Sequence, residues 1–297
     1  MSGGAGPVLL WSIPEGAVLF DKNGSQLVAQ GDTVHDVECN VGMVVFRSTG
    51  TYDFVIPANF NDRYETAVVL VGAGGGGGGG IVLPPGWSAS PPHAGGGGGG
   101  AGGLRNITSH PISPGTKTVI VGGGGYGGSN RTDDISTNGA NSRFDSIICT
   151  GGGHGAISQF VSAQASFTQA QSGGSGGGGA VRGSSTTNGA DGISGQGHSG
   201  GNSSNGTTGG GGGKSGAGGA PSAGSGLSLH GYTYAPGGPG RSTNGSGVNA
   251  SNYCGGGGGT RRTTAGNSKA GNGMQGIVII RFGGFNKNYD PATNTCS

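Results

Sequence analysis

Few side chains in this sequence have the types and spacing that catalysis or metal binding requires. Gly213-Lys214-Ser215 matches the end of a phosphate-binding loop, but the G-x-x-x-x-G-K-S motif needs glycine where the chain has Thr208. His35-Asp36 with Glu38 is the one cluster of histidine and carboxylates, and a polar hairpin edge explains it more simply than a metal site. Asp133-Asp134 has no acid/base partner nearby in the sequence. We therefore expect no enzyme, no cofactor and no bound metal.

The four cysteines, Cys39, Cys149, Cys254 and Cys296, are too far apart in sequence to form a C-x-x-C metal motif. Cys149 ends an apolar run, and we expect it to be buried as a small hydrophobic residue. A disulfide from Cys296 to either Cys39 or Cys254 is compatible with the even count. The count alone does not fix the redox compartment.

Charge and hydropathy argue against two kinds of partner, nucleic acids and membranes. The chain has 15 Lys and Arg against 13 Asp and Glu, a formal net charge of +2, and Arg261-Arg262 is its only adjacent basic pair. We interpret that pair as a solvated loop, and we expect no nucleic-acid partner. No window approaches the roughly 20 apolar residues of a membrane span, so we expect no membrane insertion. The first residues lack the basic leader of a secretory signal.

Glycine divides the chain into unequal parts. Only eight of its 78 glycines lie in residues 1–70. Residues 1–45 hold short strand candidates separated by turn residues, which predicts a small N-terminal β module. We expect a glycine-rich domain over residues 46–283 and a C-terminal tail over 284–297.

Four apolar runs are too short for helices, and they are rich in β-branched residues. They predict core strands of a β-sheet or sandwich. Three of them lead directly into glycine blocks, and the fourth follows one. The runs are 67–71, 118–121, 147–150 and 277–282.

The glycine blocks, such as Gly74–Gly80 and Gly95–Gly100, fit either flexible linkers or ordered rods. An ordered block would be a polyglycine II helix, which makes no internal hydrogen bonds and must bond to neighbouring rods. We favour ordered rods because the chain returns to an apolar strand after each glycine-rich excursion. The predicted fold class is all-β: a short-strand β-sandwich framing a packed bundle of polyglycine II helices, with the N-terminal β module attached.

The order of motifs resembles a known family. The pattern F-x-x-x-G-x-Y-x-F-x-x-P runs from Phe46 to Pro57, Ile112–Gly122 supplies a Pro-Gly turn and a strand, and Gly276–Phe282 closes the series. Together these resemble the glycine-rich domain of bacteriophage tail-fibre and receptor-binding adhesin proteins. The resemblance covers residues 46–283 and implies a virion protein of the tail, extracellular after host lysis.

The resemblance also implies that loops between the glycine helices touch a bacterial surface protein or glycan. Other tail-fibre or baseplate proteins would be partners, with the N-terminal β module of residues 1–45 docking to the fibre or tail. A homotrimer is a common arrangement for fibres. Two alternatives stay open: a fibre, baseplate or capsid-decoration element without receptor contact, and a glycan-depolymerising tail enzyme.

Five inserts between the glycine blocks carry bulky or polar side chains that a rod cannot supply. Aromatic residues at loop tips often dominate interfaces, although here they are equally compatible with local packing. The inserts are 81–93, 157–171, 181–188, 227–236 and 241–253, and the predicted receptor-binding residues are Trp87, Pro92, His93, Phe160, Phe167, His230, Tyr232 and Tyr234.

Overall fold

The structure, a computed structural model, describes most of the chain, with short gaps. It covers residues 9–21, 23, 25–29, 33–36, 41–58, 66–82, 93–129, 135–161, 164–229, 231–263, 268–282, 289–290 and 295–296. These residues form strands, turns and extended segments, and the fold is all-β as predicted. No helix in this part of the chain has the length and apolar character to cross a membrane.

The strands are short and follow one another in chain order. They are β1 Leu9–Ser12, β2 Ala17–Asp21, β3 Gln26–Ala29, β4 Thr33–Asp36, β5 Val41–Phe46, β6 Gly50–Ile56, β7 Thr66–Gly72, β8 Ile81–Val82, β9 Ala94–Gly96, β10 Leu104–Pro111, β11 Gly115–Val121, β12 Ser142–Phe144, β13 Ile147–Cys149, β14 Ile157–Val161, β15 Gln164–Thr168, β16 Val181–Arg182, β17 Ser185–Thr186, β18 Leu227–Leu229, β19 Tyr232–Tyr234, β20 Thr260–Arg262, β21 Ile277–Phe282, β22 Tyr289–Asp290 and β23 Thr295–Cys296.

Two six-stranded sheets form a sandwich. Their strand orders are β13-β12-β11-β6-β1-β4 and β10-β7-β21-β5-β2-β3. Alternate side chains of both sheets point inward, as the period of two along a strand requires, and form one core. Phe54 and Val119 of the first sheet meet Phe46, Val69 and Ile280 of the second there.

The second sheet is buried on both faces. Along β21, Val278 and Ile280 enter the core between the sheets, whereas Ile277 and Ile279 enter a second core on the opposite face. The hairpin of β18 and β19 covers that second face, with Tyr234 in the cluster. This arrangement explains why β21 reads as a continuous apolar run instead of an alternating one.

The N-terminal strands are part of the same sandwich. Strand β5 pairs with β21 through Phe46↔Val278 and Val44↔Ile280, and β2 pairs with β5 in the same sheet. The predicted boundary at residue 45 therefore falls inside a strand, and residues 9–45 do not form a module with a separate core. A core this small gains more from sharing a sheet than from closing on itself.

Between the strands lie extended glycine-rich segments, here called glycine rods, that bond sideways to other rods. Along rod 73–80 the acceptor changes from one amide to the next and returns to the same neighbour after three residues. Its amides donate to three rods and its carbonyls accept from three others. The three bonds of one repeat are Gly76 N to Gly100 O at 2.8 Å, Gly77 N to Thr137 O at 3.0 Å and Gly78 N to Gly271 O at 2.9 Å.

Glycine is required at these positions because the rods are too close for a side chain. A Cβ built on Gly77 would lie 1.8 Å from Tyr126 O, and one built on Gly99 would lie 2.2 Å from Gly76 O. Contacts below 3.0 Å with backbone atoms cannot be relieved by a rotamer change. Each rod is therefore buried by the backbones around it, and all of rod 73–80 is buried.

The rods have two ends of different character. Strands β7, β11 and β13 lead into rods and β10, β12 and β21 leave them, all at one end, which is that of the sandwich. We call the opposite end the distal end. The described segments there are 81–82, 93–96, 129, 135–136, 157–161, 164–170, 181–186, 203–207, 241–246, 260–263 and 268–269.

Candidate functional site

Two small sheets organise the distal end. Strand β9 lies between β16 and β20 in the order β17-β16-β9-β20, and the hairpin of β14 and β15 extends β8 in the order β15-β14-β8. The strands of each sheet come from segments far apart in sequence. Because rods deliver these segments side by side, the distal end forms one continuous surface built from several loops. Loops on a rigid scaffold are a common design for binding surfaces.

The predicted receptor-binding residues do not form one group. His93, Phe160 and Phe167 lie at the distal end, on the segments described above. The hairpin with Tyr232 and Tyr234 lies at the sandwich end instead. Three predicted residues fall outside the described residues: Trp87, Pro92 and His230.

The tyrosine hairpin is part of the protein core. Tyr234 is 1% exposed, and its ring meets that of Tyr232 edge-on, with centroids 4.8 Å apart. Tyr232 is half-buried and its hydroxyl accepts a hydrogen bond from Tyr253 N at 3.3 Å. Tyr234 is thus removed from the predicted binding set, because its side chain completes the second face of the larger sheet. The same packing gives Tyr232 a structural role.

His93 holds two distal loops together. Its Nε2 lies 2.8 Å from Gly183 O, and Gly183 N donates to the His93 carbonyl, also at 2.8 Å. A Cβ on Gly206 would come within 2.9 Å of the same ring nitrogen. The imidazole thus fits between the turn of the β16–β17 hairpin and the turn at 204–207. This geometry makes His93 a positioning residue of the distal surface.

Sequence reasoning missed a group of arginines that the fold gathers at the distal end. Arg182 and Arg262 both lie opposite Ala94, one on each side, so the two share a face of the small sheet. Arg261 is opposite Gly95 and belongs to the other face. Arg241 joins them through the backbone bridge between Gly245 and Arg261. The interpretation of Arg261-Arg262 as an ordinary solvated loop therefore needs correction, since both residues are half-buried in a sheet.

Backbone carbonyl and serine hydroxyl oxygens accept hydrogen bonds from these guanidinium groups. Arg182 Nη1 donates to Gln159 O at 3.3 Å, Arg261 Nε to Gly206 O at 2.5 Å and Arg262 Nε to Ser268 Oγ at 2.9 Å. Arg241 Nη2 donates to Ser246 O, and its Nε is buried with no hydrogen-bond partner within the described chain. Burial lowers the pKa of Arg182. An arginine keeps its charge despite such shifts, so all four guanidinium groups remain cations.

The described cysteine side chains form no disulfide bond. Cys149 and Cys254 are free thiols, both buried, which confirms the burial of Cys149 and excludes Cys254 from the predicted pairing in this structure. Burial raises the pKa of Cys149 from 9.0 to about 11 and raises that of Cys254 further. The side chains of Cys39 and Cys296 lie outside the described residues, so that pairing stays a prediction.

Lys214, the residue of the partial phosphate-loop motif, lies in a turn at the sandwich end, where its Nζ donates to Gly195 O at 2.7 Å. Within the described ranges no group of three or more His, Cys, Asp or Glu could hold a metal ion. Asp133-Asp134 and the segment from His35 to Glu38 fall wholly or partly outside them.

Comparison with known families gives one match. Residues 47–283 match the glycine-rich domain family, and the match covers most of the 297-residue chain. A search of curated proteins found no match. The matched range begins one residue after β5 and ends one residue after β21. It therefore includes the rods, the distal segments and strands β6 to β21.

Proposed function

We propose that this chain, which belongs to the glycine-rich domain family, is a phage tail-fibre or tail-tip protein that recognises a bacterial surface receptor without covalent chemistry. One observation carries the proposal: the rods present several loops at the end away from the sandwich. The rods themselves have no side chains with which to discriminate a ligand. Specificity must then reside in the distal loops, and the sandwich is the part suited to attachment within a fibre or baseplate.

The rods give the loops a rigid base. In rod 73–80, every amide from Ala73 to Gly79 donates a hydrogen bond to a neighbouring rod. Each such bond contributes about 0.5–1.5 kcal/mol net, against about 1–2 kcal/mol of backbone entropy per ordered residue. Rods can stay ordered only as a bundle, because an isolated rod has entropy to lose and no bonds to gain. A bundle therefore holds all distal loops in fixed relative positions.

The three-residue repeat of hydrogen bonds supports polyglycine II geometry for the rods. We expect experimental dihedral angles near φ −75° and ψ +145° in rod 73–80, or their mirror image, which glycine adopts equally well. Amide hydrogen exchange provides an independent check. Slow exchange over residues 72–80, 95–103 and 209–213 is the expected result, and exchange at the rate of an unfolded chain would show that the rods are linkers.

Receptor recognition is tested by adsorption of the purified full chain to a panel of bacterial strains. We expect binding to some strains, weakened by Phe167→Ala at the distal end or by Trp87→Ala in the insert 81–93. Tyr126→Ala is the matched control, because Tyr126 is a large aromatic residue, 69% exposed, on the side of the bundle. Thermal unfolding of each variant verifies that it is folded.

The outcomes separate the proposed function from its alternatives. Adsorption that all three substitutions leave unchanged would remove Trp87 and Phe167 from the binding surface. No adsorption to any strain would favour a structural element of the virion. Release of reducing sugars from cell envelopes would point to a depolymerase instead.

A further inference from the structure

We propose that the distal end binds an anionic glycan, through phosphate or carboxylate groups held by Arg182, Arg241, Arg261 and Arg262. The inference rests on the proposed receptor-binding function and names the chemistry of the receptor. Its basis is the way the fold concentrates positive charge, which the formal net charge of +2 conceals.

Charge is segregated between the two ends of the molecule. The described distal segments carry five bases, the four arginines and the exposed Lys269, and no carboxylate. The other described residues include six Lys or Arg and seven Asp or Glu. Within the described part of the chain, positive charge is therefore concentrated at the distal end.

The arginines are placed for bidentate recognition. Arg182 and Arg262 occupy one face of the small sheet with β9 between them, so their Cα atoms are about two strand spacings, roughly 10 Å, apart. Each guanidinium presents five N–H donors in a planar fork, and the described contacts use only one donor of Arg261. Forks of this kind match the oxygens of phosphate and carboxylate.

A glycan fits this surface better than a protein does. Protein interfaces are anchored by buried aromatic and apolar side chains. The side chains that reach solvent on β16, β17 and β20 are instead arginine, serine and threonine. An open, polar and basic surface is suited to a glycan with repeated negative charges.

The test uses the full chain and defined probes. Binding is measured to phosphorylated lipopolysaccharide, to the same material after removal of phosphate with hydrofluoric acid, to polygalacturonate and to neutral dextran. We expect binding to at least one of the anionic glycans, weakening with salt, and none to dextran. The phosphate-free and carboxylated probes identify which anionic group is recognised. Failure to bind either anionic glycan, or equally tight binding to double-stranded DNA, would overturn the proposal.

Two double variants with the same charge change locate the site. Arg182→Gln with Arg262→Gln should weaken glycan binding at least about tenfold, since hydrogen bonds to charged groups are the stronger class. Arg105→Gln with Arg143→Gln, both exposed on the sandwich, should change it less than twofold. Equal losses in the two would mean that overall charge, and not the distal arginines, controls binding. Arg182→Lys with Arg262→Lys keeps the charge, and a loss there comparable to the Gln variants shows that the fork geometry matters.

Adsorption to cells keeps this inference distinct from the proposed function. If cells bind the parent protein and the Arg182→Gln, Arg262→Gln variant equally well, the receptor-binding function is supported and the anionic-glycan proposal is rejected. Absence of adsorption together with glycan binding in the pure system would reject the receptor role in those strains and leave the arginine site intact.

Discussion

The sandwich and the glycine rods are buried in opposite ways. In the sandwich, side chains such as Phe46 and Phe54 fill the space between sheets, with ring centroids 5.6 Å apart. In the bundle there is no such space, because Gly76 and Gly100 are joined directly by a backbone hydrogen bond of 2.8 Å. The first region is stabilised mainly by removal of apolar surface from water. The second is stabilised by hydrogen bonds and close backbone contact.

The difference shows how a chain poor in hydrophobic residues can still be ordered. Only 31% of its residues are hydrophobic, too few for a single conventional core. The sandwich concentrates them at one end, and rods that need no side chains occupy much of the remainder. The two regions should therefore respond to different substitutions, and the following predictions test that contrast.

The largest effect is expected from a methyl group in the central rod. Gly77→Ala places a Cβ 1.8 Å from Tyr126 O and forces apart the two rods joined by the Gly125 N to Gly75 O and Gly128 N to Gly78 O hydrogen bonds. Overpacking and the loss of two buried bonds together predict destabilisation of about 5 kcal/mol or more, measured by chemical denaturation. Gly123→Ala is the control, because its Cβ would meet nothing closer than Thr49 Cγ2 at 3.8 Å. We expect a change of about 1 kcal/mol or less there.

A cavity in the sandwich should have the next largest effect. Phe54 is fully buried and packs edge-on against Phe46. Phe54→Ala should destabilise the protein by about 3–4 kcal/mol in the same denaturation assay, and Phe54→Leu by distinctly less. Similar stability of Phe54→Ala and the parent protein would show that the sandwich is dispensable for the cooperative unfolding of the bundle.

Alkaline pH should lower the free energy of unfolding through ionisation of Cys149. Burial raises its pKa from 9.0 to about 11, so between these pH values the unfolded chain loses a proton that the folded chain retains. The free energy of unfolding is unaffected by this thiol below pH 9. Between pH 9 and 11 it should fall by roughly 1.4 kcal/mol per pH unit through Cys149. Stability measured from pH 8 to 11 should therefore fall less steeply in Cys149→Ala than in the parent. Identical slopes would contradict the burial of this thiol.

The smallest effect is expected from the ion pair on the sandwich surface. Lys117 Nζ lies 3.6 Å from Asp145 Oδ2, and the Asp145 side chain is 42% exposed. Solvent-exposed pairs contribute little, so Lys117→Gln should change the free energy of unfolding by less than about 1 kcal/mol. A larger loss would mean that the sandwich depends on surface charge more than on its core.

The sequence predicts the strands and rods well because their determinants are local. Each apolar run that leads into glycine, such as the one before Gly122, became a strand followed by a rod. Tyr234 was misjudged because its burial depends on the second face of a sheet whose strands come from both ends of the chain. The grouping of Arg182, Arg241 and Arg262 could not be predicted either, since the folded rods bring these residues to the same end of the molecule from distant parts of the sequence. A count of charged residues in each segment, made after the direction of every rod is known, would reveal this group of arginines.

The three-residue repeat of the rods also limits how such a protein can change during evolution. Inserting or deleting three residues in a rod leaves every later residue bonded to its original neighbour. A change of one or two residues turns each amide toward the wrong neighbour along the remainder of that rod. Length variation should then accumulate in the distal loops, where no repeat restricts it, so that new surfaces arise on an unaltered support.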